Sequence, residues 1–173
     1  MKKKKIKIGV LGGSFDPAHK GHLAISKEAK KRYELNKIIW AITKKNPFKV
    51  ESKSTVFDRI NKCKKIIGFN TFIKVKFYEN IIKSNKTINL INHLKKNKNI
   101  EIYFLMGADN LINFHKWYKS KSISKKCKIL VFDRHGYKKN SLKSKTFRQL
   151  SKKNLEFIEF NKVNISSSQL RKI

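Results

Sequence analysis

The sequence predicts a parallel α/β sheet with helical crossovers, on three observations. Short apolar, β-branched segments alternate along the chain with stretches of helical periodicity. One segment, Lys37-Ile38-Ile39-Trp40-Ala41-Ile42, is continuously apolar after its first residue, as a strand covered on both faces should be. The first apolar segment runs directly into a glycine-rich turn and then a helical pattern, the local order of a strand-turn-helix unit.

Taken in order, Ile6 to Leu11 reads as the first strand, followed by the turn and a helix from His22 to about Tyr33. Lys37 to Ile42 is the second strand, and Lys44 to Ser54 is a loop around Asn46-Pro47. A helix starts near Ser54 or Thr55 and ends at Gly68, with Val56, Ile60, Cys63 and Ile67 on one face. Phe72 to Phe77 is the third strand and Thr87 to Leu94 a short helix. Ile100 to Met106 is the most strongly apolar strand and stops at Gly107; Ile129 to Phe132 and Leu155 to Phe160 are two more. Right-handed crossovers connect such strands. No internal repeat or composition break is visible, so residues 1–173 read as a single domain.

The chain has 43 Lys+Arg against 11 Asp+Glu, a formal charge of +32, yet is 39% hydrophobic and 11% aromatic, too apolar for a solvated tail. No apolar run approaches the roughly 20 residues that cross a bilayer, and Lys2 to Lys5 precede only a strand-length segment, so neither a membrane span nor a signal peptide is expected. Cys63 and Cys127 lack metal-like spacing and fit a reducing cytoplasm. Only five of the cations are Arg (Arg32, Arg59, Arg134, Arg148, Arg171), and the Lys residues are spread evenly, which reads as compositional bias and not as a nucleic-acid surface. The field still draws small polyanions such as nucleotides.

In a parallel sheet, ligands bind beyond the carboxyl ends of the strands where strand order reverses. The segment after the first strand is Gly12-Gly13-Ser14-Phe15-Asp16-Pro17-Ala18-His19-Lys20-Gly21-His22. Gly12 and Gly13 clear side chains from a place where phosphate can approach backbone amides, and the HxGH pair opens a helix whose N–H groups favour anions. GxGxxG and GxxxxGK[ST] are both absent. His19 and His22 have plainer readings as helix caps, zinc ligands or surface residues. Zinc lacks a nearby third and fourth ligand, and donation to phosphate oxygens suits two imidazoles at a strand end better.

These residues resemble the signature of the nucleotidylyltransferase superfamily, in which HxGH binds and polarises a nucleoside triphosphate. About 145 residues later, Ile165-Ser166-Ser167-Ser168-Gln169-Leu170-Arg171 resembles its ISSTxxR element, a helix start plus an Arg for the β- and γ-phosphates. Met106-Gly107-Ala108-Asp109-Asn110-Leu111-Ile112-Asn113-Phe114-His115-Lys116-Trp117-Tyr118 is similar to the GADxLxxFxxW segment of the bacterial nicotinate-nucleotide adenylyltransferases. Asn46-Pro47-Phe48-Lys49 falls where that family has a PPHK-like loop, Thr87 at a position like the Thr of its YTxxTL element, and Arg134-His135-Gly136-Tyr137 at its R-x-G-Y turn. Phe48 replaces a frequent His and Lys86 stands where Tyr is common, and the chain ends at Ile173, soon after the Arg.

The resemblance implies a Rossmann-like doubly wound parallel sheet of nucleotidylyltransferase type. It implies adenylyl transfer from ATP to nicotinate mononucleotide in NAD biosynthesis, in the cytoplasm, with Mg²⁺ bound mainly through the ATP phosphates and no metal ligands on the protein. His19, His22 and Arg171 are then the catalytic set, and Gly12, Gly13, Ser14, Phe15, Lys20, Ser166, Ser167 and Ser168 the ATP site. Asn46, Phe48, Lys49, Thr87, Gly107, Asp109, Trp117, Tyr118 and Arg134 line the second substrate, Trp117 by stacking on the pyridine ring from the helix after Gly107. Each has a plainer reading too: Ser167 and Ser168 as N-caps, Asp16 as a turn residue, Trp117 as core. The rivals are a pantetheine-phosphate adenylyltransferase, a cytidylyltransferase and, from another class, an RNA-binding protein on the same fold. Neither a specific nucleic acid nor a membrane is an expected partner, and the oligomeric state is open.

Overall fold

The computed structural model describes residues 4–45, 52, 54–150, 154–159 and 170. Six strands form one all-parallel sheet in the order β3-β2-β1-β4-β5-β6: β1 is Ile6–Gly13, β2 Lys37–Ile42, β3 Ile73–Lys76, β4 Ile100–Gly107, β5 Lys128–Phe132 and β6 Leu155–Ile158. This is the expected Rossmann-like, doubly wound sheet. Strand order reverses between β1 and β4, which leaves a crevice above their carboxyl ends.

Side chains alternate across the sheet and build two cores. Val10, Ile39, Phe104 and Met106 face one way, against Ile88 and Ile91 of α4 (Thr87–Leu94) and Leu111 of α5 (Ala108–Asn113). Leu11, Ile38, Trp40 and Leu105 face the other way, against Ala29 of α1 (Lys20–Tyr33) and Cys63 and Ile67 of α2 (Val56–Ile67). All of β2 after Lys37 is buried, as a strand covered on both faces must be. The buried set leaves the surface to the lysines.

Several boundaries differ from the sequence expectation. β1 continues through Gly12 and Gly13, which pair with Ala41 and Ile42, so these glycines end the strand and the turn begins at Ser14. α1 begins at Lys20, before His22, because His19 caps it. α2 is capped by the Thr55 side chain, which accepts from the Asp58 N–H, and closes at Gly68. Its buried face is Arg59, Cys63 and Ile67, with Val56 and Ile60 only partly buried. β3 and β6 are four residues each, shorter than Phe72–Phe77 and Leu155–Phe160, and residue 160 lies outside the described residues. A one-turn helix, α3 (Glu79–Ile82), had no signal in the sequence pattern.

The segment after β4 departs most. α5 stops at Asn113, a 3₁₀ turn covers Phe114–Lys116, and Trp117 is extended, with φ −71° and ψ 142°. Trp117 therefore does not ride on the helix that follows Gly107. Phe114 is buried in the core, and its insertion ends the regular helix. α6 (Ser120–Lys126), α7 (Lys138–Leu142) and α8 (Lys145–Gln149) complete the described helices. Among the described residues, no helix is long and apolar enough to cross a membrane.

Candidate active site

A cavity of about 660 Å³ opens above the carboxyl ends of β1, β2, β4 and β5, at the reversal of strand order. Its floor is the end of β1 and the turn that follows, with Gly12, Gly13, Ser14 and Phe15 all in the lining. Phe15 is non-glycine in a left-handed conformation, φ 49°, a geometry that costs about 1–3 kcal/mol unless neighbours enforce it. They do so here: its buried ring stacks on Trp40 at 5.1 Å and meets the His22 ring at 4.8 Å.

His19 and His22 open α1 as a reciprocal cap. The Gly21 N–H donates to His19 Nδ1 at 3.1 Å, and the His19 N–H donates to His22 Nδ1 at 3.2 Å. A ring nitrogen that accepts carries no proton, so in each neutral imidazole the proton sits on Nε2. Nδ1 of each thus serves the backbone cap, and both residues line the cavity. The imidazole centroids are 3.9 Å apart. Beneath them a buried relay fixes the turn. Trp40 Nε1–H donates to Ser26 Oγ at 2.8 Å, and Ser26 donates to the His22 carbonyl at 2.8 Å.

Across the crevice, Asp109 and Arg134 form the opposite wall. Arg134 Nη1 donates to Asp109 Oδ2 at 2.6 Å, while Asp109 Oδ1 is buried with no hydrogen-bond partner in the structure. A buried carboxylate oxygen without a donor is costly and marks a place where a ligand hydroxyl or amide would be held. Gly107 leaves room for it, since a Cβ there would lie 2.5 Å from that oxygen. Arg134 starts the predicted turn, in which Gly136 takes φ 80° and Tyr137 stands under the guanidinium at 5.8 Å.

Trp117 belongs partly to the core and partly to the cavity. One side packs on Phe114 at 5.1 Å and edge-on against Phe104 at 6.1 Å, and the ring also contributes to the cavity lining. The segment before it is held by Thr146 of α8, whose Oγ1 accepts from the His115 N–H at 3.0 Å. Tyr118, Thr87 and Lys86 line the same side.

The structure therefore brings Gly12, Gly13, Ser14, Phe15, His19, His22, Thr87, Gly107, Asp109, Trp117, Tyr118 and Arg134 to one cavity. Lys20 is exposed at the first position of α1 and is not in the lining. Asn46, Phe48, Lys49, Ser166, Ser167, Ser168 and Arg171 lie outside the described residues. Sequence reasoning missed Tyr78 and Glu79, which follow β3, and Arg59, which lies beneath the floor. Arg59 carried one legible signal, its i,i+4 spacing to Cys63 on the face of α2. Among the described residues, no three His, Cys, Asp or Glu side chains converge as a metal cage.

A reversing parallel sheet with paired imidazoles at a helix start and a nucleotide-sized cavity beside them defines a nucleotidyl-transferring enzyme. The chain belongs to the cytidylyltransferase-like family, whose model matches residues 10–173, and within it to the nicotinate-nucleotide adenylyltransferases. It is 69% identical to a probable nicotinate-nucleotide adenylyltransferase of Pelagibacter ubique, over 100% of this chain and 96% of the relative. It is 36% identical to the Agrobacterium fabrum protein of the same name, over 75% and 70% of the two chains. The fold matches that of a Plasmodium falciparum nicotinic acid mononucleotide adenylyltransferase solved with NaAD, with TM-score 0.79, 20% identity, and coverage of 96% of this chain and 82% of that one.

Proposed function

We propose that the protein transfers the adenylyl group of ATP to nicotinate mononucleotide, forming nicotinate adenine dinucleotide and pyrophosphate, a step of NAD biosynthesis carried out in the cytoplasm. The observation that carries this reading is the reciprocal His19–His22 cap facing the Asp109–Arg134–Trp117 wall across one cavity. The 69% identity to a relative of that name supports it independently.

In this reading a mononucleotide 5′-phosphate oxygen attacks the α-phosphorus of ATP. The new P–O bond forms as the bond from that phosphorus to the α,β-bridging oxygen of ATP breaks, and that oxygen leaves with the pyrophosphate. A phosphate dianion needs no base and no covalent protein nucleophile, so the protein's work is in-line positioning and neutralisation of the charge that grows on the leaving group. His22 and His19 supply Nε2–H donors to the α- and β-phosphates, and the N-terminus of α1 adds its dipole. Lys20 contributes long-range charge from the first turn of that helix, and Arg171 with Ser166 to Ser168 completes the β- and γ-phosphate side. Magnesium enters with the triphosphate as part of the substrate, since Mg²⁺ is held well by phosphate oxygens and water.

On the far wall the Asp109 Oδ1 acceptor takes a ribose hydroxyl, Trp117 stacks on the pyridine ring, and Thr87, Tyr118, Asn46, Phe48 and Lys49 surround the pyridine carboxylate. Pyrophosphate release with ATP tests the reading when nicotinate mononucleotide, nicotinamide mononucleotide, 4′-phosphopantetheine and cytidylyl donors are compared. Turnover strongest with nicotinate mononucleotide is expected; release only with 4′-phosphopantetheine or only from CTP refutes it.

A further inference from the structure

Beneath the cavity floor lies a buried cation to which the reaction scheme gives no part. Arg59, on α2, is 2% exposed. Its Nη1 donates to the carbonyls of Ser14 at 2.7 Å and Thr43 at 2.8 Å, its Nη2 to that of Lys44 at 3.3 Å, and its Nε to that of Thr55 at 3.3 Å. One guanidinium thus ties the turn after β1, the turn after β2 and the cap of α2. Burial lowers its proton affinity, and the negative field of Asp16 and Glu79 acts against that. From the opposite side Glu79 takes the Thr43 hydroxyl and, at 3.1 Å, the Lys44 N–H, while the Thr43 N–H reaches the Gly13 carbonyl at 3.0 Å.

The Thr43–Lys44 segment is therefore gripped twice, its carbonyls by a cation and its donors by a carboxylate. Glu79 also belongs to the cavity lining, a poor place for a negative charge if two polyanions are to meet there. Engagement by Thr43 and Lys44 turns that charge to a structural use. We infer that Arg59, seconded by Glu79, is a positioning residue. The pair locks the turns after β1 and β2 in one register, so that the triphosphate held over the first and the mononucleotide bound beside the second meet in line. A lysine cannot reproduce this, because one ammonium on a flexible stem cannot span carbonyls on three segments as a planar fork does.

The inference rests on the adenylyl-transfer reading, and the experiment separates the two. Wild-type protein, Arg59→Lys and Glu79→Gln are compared for thermal midpoint, ATP affinity by equilibrium dialysis, kcat and both KM values in pyrophosphate release from ATP and nicotinate mononucleotide. For Arg59→Lys we expect kcat per folded molecule to fall by about 10-fold or more at saturation of both substrates, with ATP affinity held within about 3-fold, because misalignment acts on the encounter and not on binding. Glu79→Gln should lower kcat in the same direction while staying folded, and it decides the matter alone if Arg59→Lys does not fold. A kcat per folded molecule equal to wild type, or a loss that only tracks the folded fraction, overturns the positioning role and leaves the adenylyl-transfer reading intact. A wild type that releases no pyrophosphate from this substrate pair overturns the reading, and the inference with it.

Discussion

Replacing Gly107 by Ala probes the far wall of the cavity without replacing a charged residue. Gly107 has φ −79° and ψ 156°, a conformation that any L residue adopts, so the backbone raises no objection. The new Cβ would stand 2.5 Å from Asp109 Oδ1, whereas ordinary contact begins at 3.4 Å, and the carboxylate must retreat by the difference, about 0.9 Å. That displacement disturbs the 2.6 Å bond to Arg134 and moves the unpartnered oxygen from its place. Stability should change little. Losing a partly exposed ion pair costs roughly 0–1 kcal/mol. Restricting the unfolded chain through Gly→Ala returns about 0.4–1 kcal/mol. Catalysis is the sensitive quantity, because a shift near 1 Å in a positioning group can cost up to about 10²-fold. The assay is pyrophosphate release beside a urea melt, and the expected result is kcat/KM down by about 10- to 100-fold with unfolding free energy within about 1 kcal/mol of wild type. A variant of wild-type stability and wild-type kcat/KM would refute the view that Asp109 organises this wall.

Other outcomes follow from the same geometry. His22→Ala should lower kcat by on the order of 10²-fold, as loss of one preorganised donor does, and should cost about 1–2 kcal/mol of stability because it also removes a cap and ring contacts to Phe15 and Trp40; near-normal turnover would sink the assignment. Trp117→Ala should weaken the mononucleotide by about 1–2 kcal/mol with ATP affinity nearly unchanged, and should also destabilise the fold by about 2 kcal/mol, less than a fully buried Trp would; destabilisation with an unchanged mononucleotide KM would assign it to the core alone. Glu101 predicts an acid-side effect. Burial alone would raise its carboxyl, but the hydrogen bond and charge of Lys128 at 3.0 Å, helped by Tyr103 and Lys7, hold it below the usual range. Its stabilisation is thus complete above the ordinary glutamate pKa and lost as pH falls through the depressed one. Acid titration of the thermal midpoint should be slightly flatter in Glu101→Gln, an effect within roughly 1 kcal/mol for so exposed a pair; a steeper acid loss in the variant would contradict the sign.

The parts of this architecture that local pattern specifies were readable in advance. β2 and α4 fall on their predicted bounds, because a continuous β-branched run and a short amphipathic repeat each satisfy one period only. His19 and His22 were legible as site residues by motif and spacing, and both line the cavity, but their mutual cap required coordinates, since it depends on which ring nitrogen meets which backbone N–H. Trp117 was misplaced on a helix because nothing local marks Asn113 as an end; tertiary burial of Phe114 makes the 3₁₀ turn. Arg59 was passed over for a similar reason. Its partners are carbonyls of residues up to 45 positions away, and a backbone oxygen has no sequence identity to read. Asp109 was expected at the wall, and its pairing with Arg134 joins two motif residues 25 positions apart that sequence could name only separately.

The sheet's two borders carry a further consequence. Among the described residues, β3 and β6 pair on one side only, and an unpaired strand edge is the kind of template on which a second chain can polymerise. Both are only four residues long, and β3 sets Lys74 and Lys76 between its apolar positions. A neighbouring copy approaching that border must bring ammonium groups against ammonium groups, on a chain whose formal charge is already +32. The lysine excess thus makes crowded copies of this sheet poor templates for one another.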